Sequence, residues 1–180
     1  GSMHGAPQCL PQSQRWHVTT DPLPLGSTIG ILGGGQLGRM LSVAASRLGF
    51  KTHIFEPGAN PPAADVAHAL TTASYDDHAA LTTFAKACDV VTFEFENIPT
   101  QALDVIESHT TIRPGREALR ISQDRLTEKN FLQGLGLQVA PFADIPDAAA
   151  MDVAMKTIGA PSILKTRRFG YDGKGQARLH

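Results

Sequence analysis

The chain has 180 residues, 42% of them hydrophobic and 18% charged, which is enough apolar material for a buried core in one domain or one and a half. Its 16 basic and 17 acidic residues leave a net charge of -1 and form no basic run, excluding a partner held by bulk charge, whether nucleic acid or an anionic membrane surface. The two cysteines, Cys9 and Cys88, lack metal-ligand spacing and are too few for a disulfide framework, which points to a reducing, cytoplasmic setting.

Gly1-Ser2 ahead of Met3 reads as a cloning remnant. Residues 4–27, with prolines, glutamines and no apolar period, read as a poorly ordered extension, and a targeting peptide fits poorly because no continuous apolar segment is present. Residues 28–32 predict a strand, and residues 36–48 a helix with Leu37, Met40, Leu41, Ala44, Ala45 and Leu48 on its inner face, ended by Gly49. A second strand over 50–55 completes a βαβ unit, followed by a turn-rich loop over 57–62. A weaker strand at 69–72 precedes Asp76 and Asp77, which cap a helix over 78–87; Cys88 packs at its end, and 89–95 predict a strong strand. A helix over 99–108 and a short strand at 111–113 end at Pro114-Gly115.

Alternating strands and helices predict an α/β fold, a doubly wound parallel sheet with helices on both faces, with a domain boundary near Gly115. The expected organisation is therefore extension 1–27, a first unit 28–115 and a second unit 116–180. In the second, helix over 116–135 breaks near Ser122, followed by a strand at 138–142, a helix at 148–158, a strand at 162–166, a glycine-rich loop and a last strand at 176–180. That strand stops without a closing element, so the chain reads as the N-terminal piece of something longer.

Gly33-x-Gly35-x-x-Gly38 lies at a strand-to-helix turn, where glycines let the backbone approach a phosphate and the helix N-terminus stabilises its charge. Glu56, at the end of the second strand, is placed to accept from a ribose hydroxyl, as in an NAD site; alternatively the glycines only permit close packing, with Glu56 a solvated strand end. Phe93-Glu-Phe-Glu-Asn97 puts Glu94, Glu96 and Asn97 at the C-terminal end of a strand, where α/β sheets bind ligands, and Glu96 and Asn97 are the functional candidates. The other reading has Phe93 and Phe95 inward and both glutamates outward.

Residues 165–176 place four cations, three glycines, Tyr171 and Asp172 after an apolar strand. This is no Walker loop, because a strand rather than a helix follows. A hairpin folding its N–H groups and Lys174 over a polyphosphate, with Lys165 reaching from the strand, suits the residues; an exposed turn with solvated charges is the alternative. Asp124 caps the helix that follows it, and Arg125, at a helix start where a cation is disfavoured, is a candidate phosphate ligand. Lys129 makes an ordinary surface contact.

Four motifs, residues 31–41, 92–97, 123–129 and 170–176, together resemble the ATP-grasp enzymes, and among them the 5-(carboxyamino)imidazole ribonucleotide synthase family of purine biosynthesis. The resemblance implies a Rossmann-like pre-ATP-grasp domain followed by the start of an ATP-grasp domain. It also implies a carbon–nitrogen ligase in which ATP activates bicarbonate as carboxyphosphate and the amine of 5-aminoimidazole ribonucleotide takes up the carboxyl group. By the same resemblance Arg125, Lys165 and Gly170, Tyr171, Asp172, Gly173, Lys174, Gly175 and Gln176 bind ATP, with Asp172, Tyr171 and Lys174 at the reacting groups. Gly34, Gly35, Gln36, Leu37 and Glu96 line the ribonucleotide pocket. Ligands for Mg²⁺ are expected beyond residue 180, so a chain of this length is expected to be inactive alone, and the full-length parent to be a homodimer. An NAD-dependent oxidoreductase built on the first loop, or a non-catalytic nucleotide-binding module, are the competing expectations.

Overall fold

The computed structural model describes residues 22–170 and 173–180. Most of the N-terminal extension, together with Tyr171 and Asp172, lies outside them. The extension's last residues form a turn held on the first unit: Gly26 N–H donates to the Gly49 carbonyl at 2.9 Å and Ser27 N–H to Pro24 at 3.2 Å.

Strands β1 (Thr28–Leu32), β2 (Lys51–Phe55), β3 (Ala69–Thr71) and β4 (Val90–Phe93) form a parallel sheet in the order β3-β2-β1-β4. Helices α1 (Gln36–Arg47), α2 (His78–Lys86) and α3 (Thr100–Glu107) make its connections, together with a 3-10 turn at Pro62–Asp65. The alternation in the strands explains how both faces are buried. Leu32, Phe55 and Val91 point into a large cluster with Leu81, Phe84 and Ile106 from α2 and α3, while Ile31 and Ile54 point oppositely and meet Ala63 of the 3-10 turn. Asp77 caps α2, accepting from Ala80 N–H at 2.9 Å. Buried Cys88 follows α2, and its burial, then Asp89, push its thiol pKa up to about 12, leaving it inert.

The short strand expected at 111–113 is a single parallel bridge between Ile112 and Val91. Helix α1 departs further from expectation. Its buried residues are Gly38, Ser42 and Ala45, whereas Leu37, Met40, Leu41 and Leu48 are exposed. The helix is drawn in through its smallest side chains because Gly38 lies against the β1–α1 turn: a β-carbon there would come 2.8 Å from the Gly33 carbonyl oxygen. Apolar periodicity alone marks a stripe and does not decide which stripe faces the sheet.

Helix α4 (Arg116–Ser122) is joined by a short link to α5 (Arg125–Gly134), the break falling beside Ser122 as expected. Leu119 of α4 belongs to the large cluster of the first unit. Helix α6 (Ala148–Ile158), capped by Asp147, leads into the antiparallel pair β5 (Ser162–Lys165) and β6 (Gln176–Leu179). The strand expected at 138–142 does not form; the segment is irregular, and its Phe142 ring lies under Lys129 Nζ at 5.1 Å.

Gly30 tests the packing at the sheet's centre, where an added β-carbon would come 2.8 Å from both Cys88 Sγ and Phe84 Cζ. Gly30→Ala is expected to lower unfolding free energy by about 1–3 kcal/mol in urea titrations. Leu48→Ala, on the exposed stripe, is expected to cost less than about 0.5 kcal/mol.

Candidate functional site

Two glycine-rich segments carry the candidate residues, and each is tied down by its own acids or bases. At the first, the chain leaves β1 with Gly33 at φ +101°, a conformation only glycine adopts without strain. The turn exposes N–H groups at the start of α1 that have no helical acceptor. Carboxylates supply it. Glu94, just past β4, accepts from Gly35 N–H at 2.7 Å with Oε1 and from Gly38 N–H at 3.0 Å with Oε2. Glu56, just past β2, accepts from Gly34 N–H at 2.8 Å with one oxygen and from Gly58 N–H at 2.8 Å with the other.

These bonds change the reading of both acids. Glu56 ties the β1–α1 loop, through Gly34, to the loop that follows β2, through Gly58, and is not a solvated strand end. Glu94, read at best as one member of a cluster led by Glu96, is the carboxylate that reaches the loop; half-buried Glu96 lies in the bend two residues on. At the α1 N-terminus the Gly34, Gly35 and Gly38 N–H groups, which could otherwise face a pyrophosphate, are taken by these side chains. Gly34 is buried and Gly35 half-buried, while Gln36 and Leu37 are open to solvent on the first turn of α1. Tyr75 stacks on Phe55 at 5.5 Å; burial, then the charges of Glu56 and Glu94, raise its pKa. Its hydroxyl has no hydrogen-bond partner among the described residues.

At the second segment, three consecutive residues after α4 each hold the loop that follows β5. Gln123 Oε1 accepts from Arg168 at 3.1 Å, while its amide donates to the Ile98 carbonyl of the first unit at 2.9 Å. Asp124 accepts from Leu126 and Thr127 N–H, both at 3.0 Å, and also takes the Arg167 guanidinium as a fork, Nε at 3.0 Å and Nη2 at 3.1 Å. Arg125 donates through Nη2 to the Gly170 carbonyl at 2.7 Å, and its N–H meets the Arg167 carbonyl at 3.0 Å. The helix-start arginine that looked anomalous in sequence therefore faces the glycine loop.

Lys165 ends β5 opposite Gln176 in the strand register, and Thr166 N–H donates to the Gly175 carbonyl at 2.8 Å. Lys174 lies between Gly173 (φ +78°) and Gly175 (φ +66°); a β-carbon at Gly175 would come 2.5 Å from Thr166 Oγ1, so the hairpin closes only with glycine. A cavity of about 600 Å³ is lined by Arg125, Lys129, Lys165 and Arg167 with apolar side chains including Met155 and Ile163. A group of cations beside an apolar wall, with a glycine hairpin alongside, suits a polyphosphate carrying a flat base. The structure thus brings Arg125, Lys165, Gly170, Gly173, Lys174, Gly175 and Gln176 to one end of the β5–β6 hairpin, whereas the two expected residues between Gly170 and Gly173 lie outside the described region. Among the described residues no three His, Cys, Asp or Glu side chains cluster as metal ligands.

A Rossmann-like half-sheet with an internally closed glycine turn, followed by a cationic hairpin, defines the class: the chain belongs to the ribonucleotide synthetase pre-ATP-grasp family, whose model matches residues 26–123, and the ATP-grasp domain model matches residues 130–180. The curated N5-carboxyaminoimidazole ribonucleotide synthase of Brucella melitensis is 52% identical over 154 residues, covering 86% of this chain and 42% of that protein. The Staphylococcus aureus N5-carboxyaminoimidazole synthetase solved with ADP superposes with a TM-score of 0.80 at 44% identity, over 87% of this chain and 42% of that one. The Aspergillus clavatus enzyme solved with ADP and 5-aminoimidazole ribonucleotide gives a TM-score of 0.73 at 31% identity, over 85% and 40%. The chain thus spans about 42% of the length of the curated Brucella relative.

Asp124 joins helix and loop, and its pH response tests that junction. Partial burial works to raise its pKa, but the Thr127 N–H, Arg167 and the Leu126 N–H outweigh this and hold it below the ordinary carboxylate value. With a lowered folded-state pKa, its contribution is complete above about pH 4 and lost as pH falls through the folded value. Unfolding followed from pH 7 to 2 is expected to show less acid destabilisation in Asp124→Asn than in wild type, and Asp124→Ala to cost about 1–2 kcal/mol at pH 7 through loss of the cap.

Proposed function

We propose that this chain carries the ribonucleotide-binding and phosphate-binding elements of an enzyme that carboxylates 5-aminoimidazole ribonucleotide with bicarbonate and ATP in purine biosynthesis, working in the cytoplasm as a homodimer. The observation that carries the reading is the convergence of Arg125, Lys165, Gly170 and residues 173–176 on one hairpin, within a chain of this family. A first unit serving the ribonucleotide and a second serving ATP fit that reading, with the boundary expected near Gly115 shifted past α4, whose Leu119 packs in the first unit's cluster.

In this reaction the terminal phosphoryl of ATP passes to bicarbonate, and the exocyclic amine then takes the carboxyl group as phosphate leaves. Lys165 and Arg125 neutralise phosphate oxygens, the electrostatic part of phosphoryl-transfer catalysis. Lys174 and the N–H groups of Gly173 and Gly175 cover the phosphates as the hairpin closes. Asp172 takes the proton of the attacking amine, and Tyr171 flanks the reacting groups. Gly34, Gly35, Gln36, Leu37 and Glu96 meet the ribonucleotide. The donor set around the hairpin is cationic and fits polyphosphate, not a bare divalent ion; Mg²⁺, if bound with ATP, would offset phosphate charge and would need acidic ligands that this donor set does not supply.

Calorimetric titration of the chain with ATP is expected to show binding that Lys165→Met weakens about tenfold or more. Equal affinity in wild type and variant would remove Lys165 from the site. In a full-length enzyme carrying this sequence, ADP release dependent on both bicarbonate and the ribonucleotide is expected to fall about 100-fold or more in Asp172→Asn. An unchanged rate there would take the proton-accepting role away from Asp172.

A further inference from the structure

We propose that Gln123 is a positioning residue for the carboxylation. Its side-chain amide ties the loop after β5 to the first unit, and so sets the spacing between the two ligand sites without touching either ligand. The inference deepens the proposed function and rests on it for where the ribonucleotide and ATP lie.

Gln123 stands where the two units meet. It is the last residue matched by the pre-ATP-grasp model and the C-cap of α4, and its backbone N–H donates to the Leu119 carbonyl at 3.0 Å. Leu119 and Ile98 are both buried, and both belong to the large cluster of the first unit. From that packed base the Gln123 Nε2 donates to the Ile98 carbonyl at 2.9 Å, two residues past Glu96. Its Oε1 accepts from Arg168 Nη2 at 3.1 Å. A carbonyl only accepts and a guanidinium only donates, so the group between them must do both; an amide does, whereas a carboxylate or an ammonium serves one side alone.

The outer end of the link falls on the tightest part of the loop. The Arg168 guanidinium lies over the Phe169 ring at 5.5 Å, and Phe169 has φ +61°, a left-handed conformation costly for a bulky side chain. Gly170 follows, its carbonyl held by Arg125 at 2.7 Å. Neither Gln123 nor Arg168 lines the cavity that Arg125 and Lys165 share. Loss of the link therefore leaves the phosphate cations in place but releases the loop from the first unit. ATP still binds, while the activated carboxyl group is no longer held in line with an amine seated on the other unit.

Three variants of a full-length enzyme carrying this sequence separate binding from positioning. Gln123→Met removes both bonds at similar length, Gln123→Glu keeps the Arg168 partner but sets an acceptor against the Ile98 carbonyl, and Arg168→Met removes the outer bond alone. All three are expected to bind ATP within about twofold of wild type by calorimetry. In each, kcat for ADP release dependent on bicarbonate and ribonucleotide is expected to fall about tenfold or more. The Gln123→Met/Arg168→Met double variant is expected to fall no further than Gln123→Met, because the two groups form one link. Arg168 is exposed, so its variant decides the matter even where a change at Gln123 disturbs folding. Wild-type kcat in Arg168→Met, ATP affinity that falls as far as kcat, or losses that multiply in the double variant each overturn the positioning role alone. A wild type without ribonucleotide-dependent ADP release overturns the proposed function, and this inference with it.

Discussion

The turn from β1 into α1 depends on carboxylate-to-backbone hydrogen bonds from two neighbouring strands. A helix start leaves N–H groups without partners, and burying them unpaired is costly. Glu94 and Glu56 reach across from β4 and β2 to meet them, so three parallel strands and one helix are joined by side chains as well as by the ladder. The same bonds set how closely α1 approaches the sheet. With Gly38 pressed against the turn, the helix packs through Gly38, Ser42 and Ala45, and its larger apolar residues face outward.

Much of the architecture was legible in the chain itself. Short apolar runs before glycines marked β1 and β2, and Asp77 and Asp124 marked the helix starts they cap. The glycine spacing before α1 located the first loop, and the density of cations and glycines after β5 located the second. What could not be read was which partner each group takes. Alternating Glu94 and Glu96 look equivalent in a strand, and only the register of β4 against β1 brings Glu94 to the turn. The inner stripe of α1 was misjudged for a related reason: a close helix–sheet contact favours small residues, and hydrophobic periodicity weighs large ones. The segment at 138–142 has strand-like composition but no neighbouring strand to pair with among the described residues.

The second unit is organised by a different economy of charge. Gln123, Asp124 and Arg125 hold Arg168, Arg167 and Gly170 in turn, so a three-residue run at a helix start positions a hairpin more than forty residues away. Arg168 is committed to this structural task away from the cavity, whereas Arg167 and Arg125 both hold the loop and line the cavity with Lys165. The Gln123 amide adds a link from that scaffold to the Ile98 carbonyl at 2.9 Å, coupling the hairpin's support to the first sheet.

Leu119 bears on how such a chain divides. It is carried by α4, after the Pro-Gly sequence that looks like the end of the first unit, yet it is 1% exposed and packs with the large cluster beneath the sheet. Severing the polypeptide at Gly115 would leave a leucine-sized void in that cluster, a defect of about 2–5 kcal/mol. A cut after Gln123 keeps the cluster whole. In genetic terms α4 is the natural seam: recombination that swaps one half of this protein for another must carry those few residues with the N-terminal half, or deliver a sheet with a hole in it.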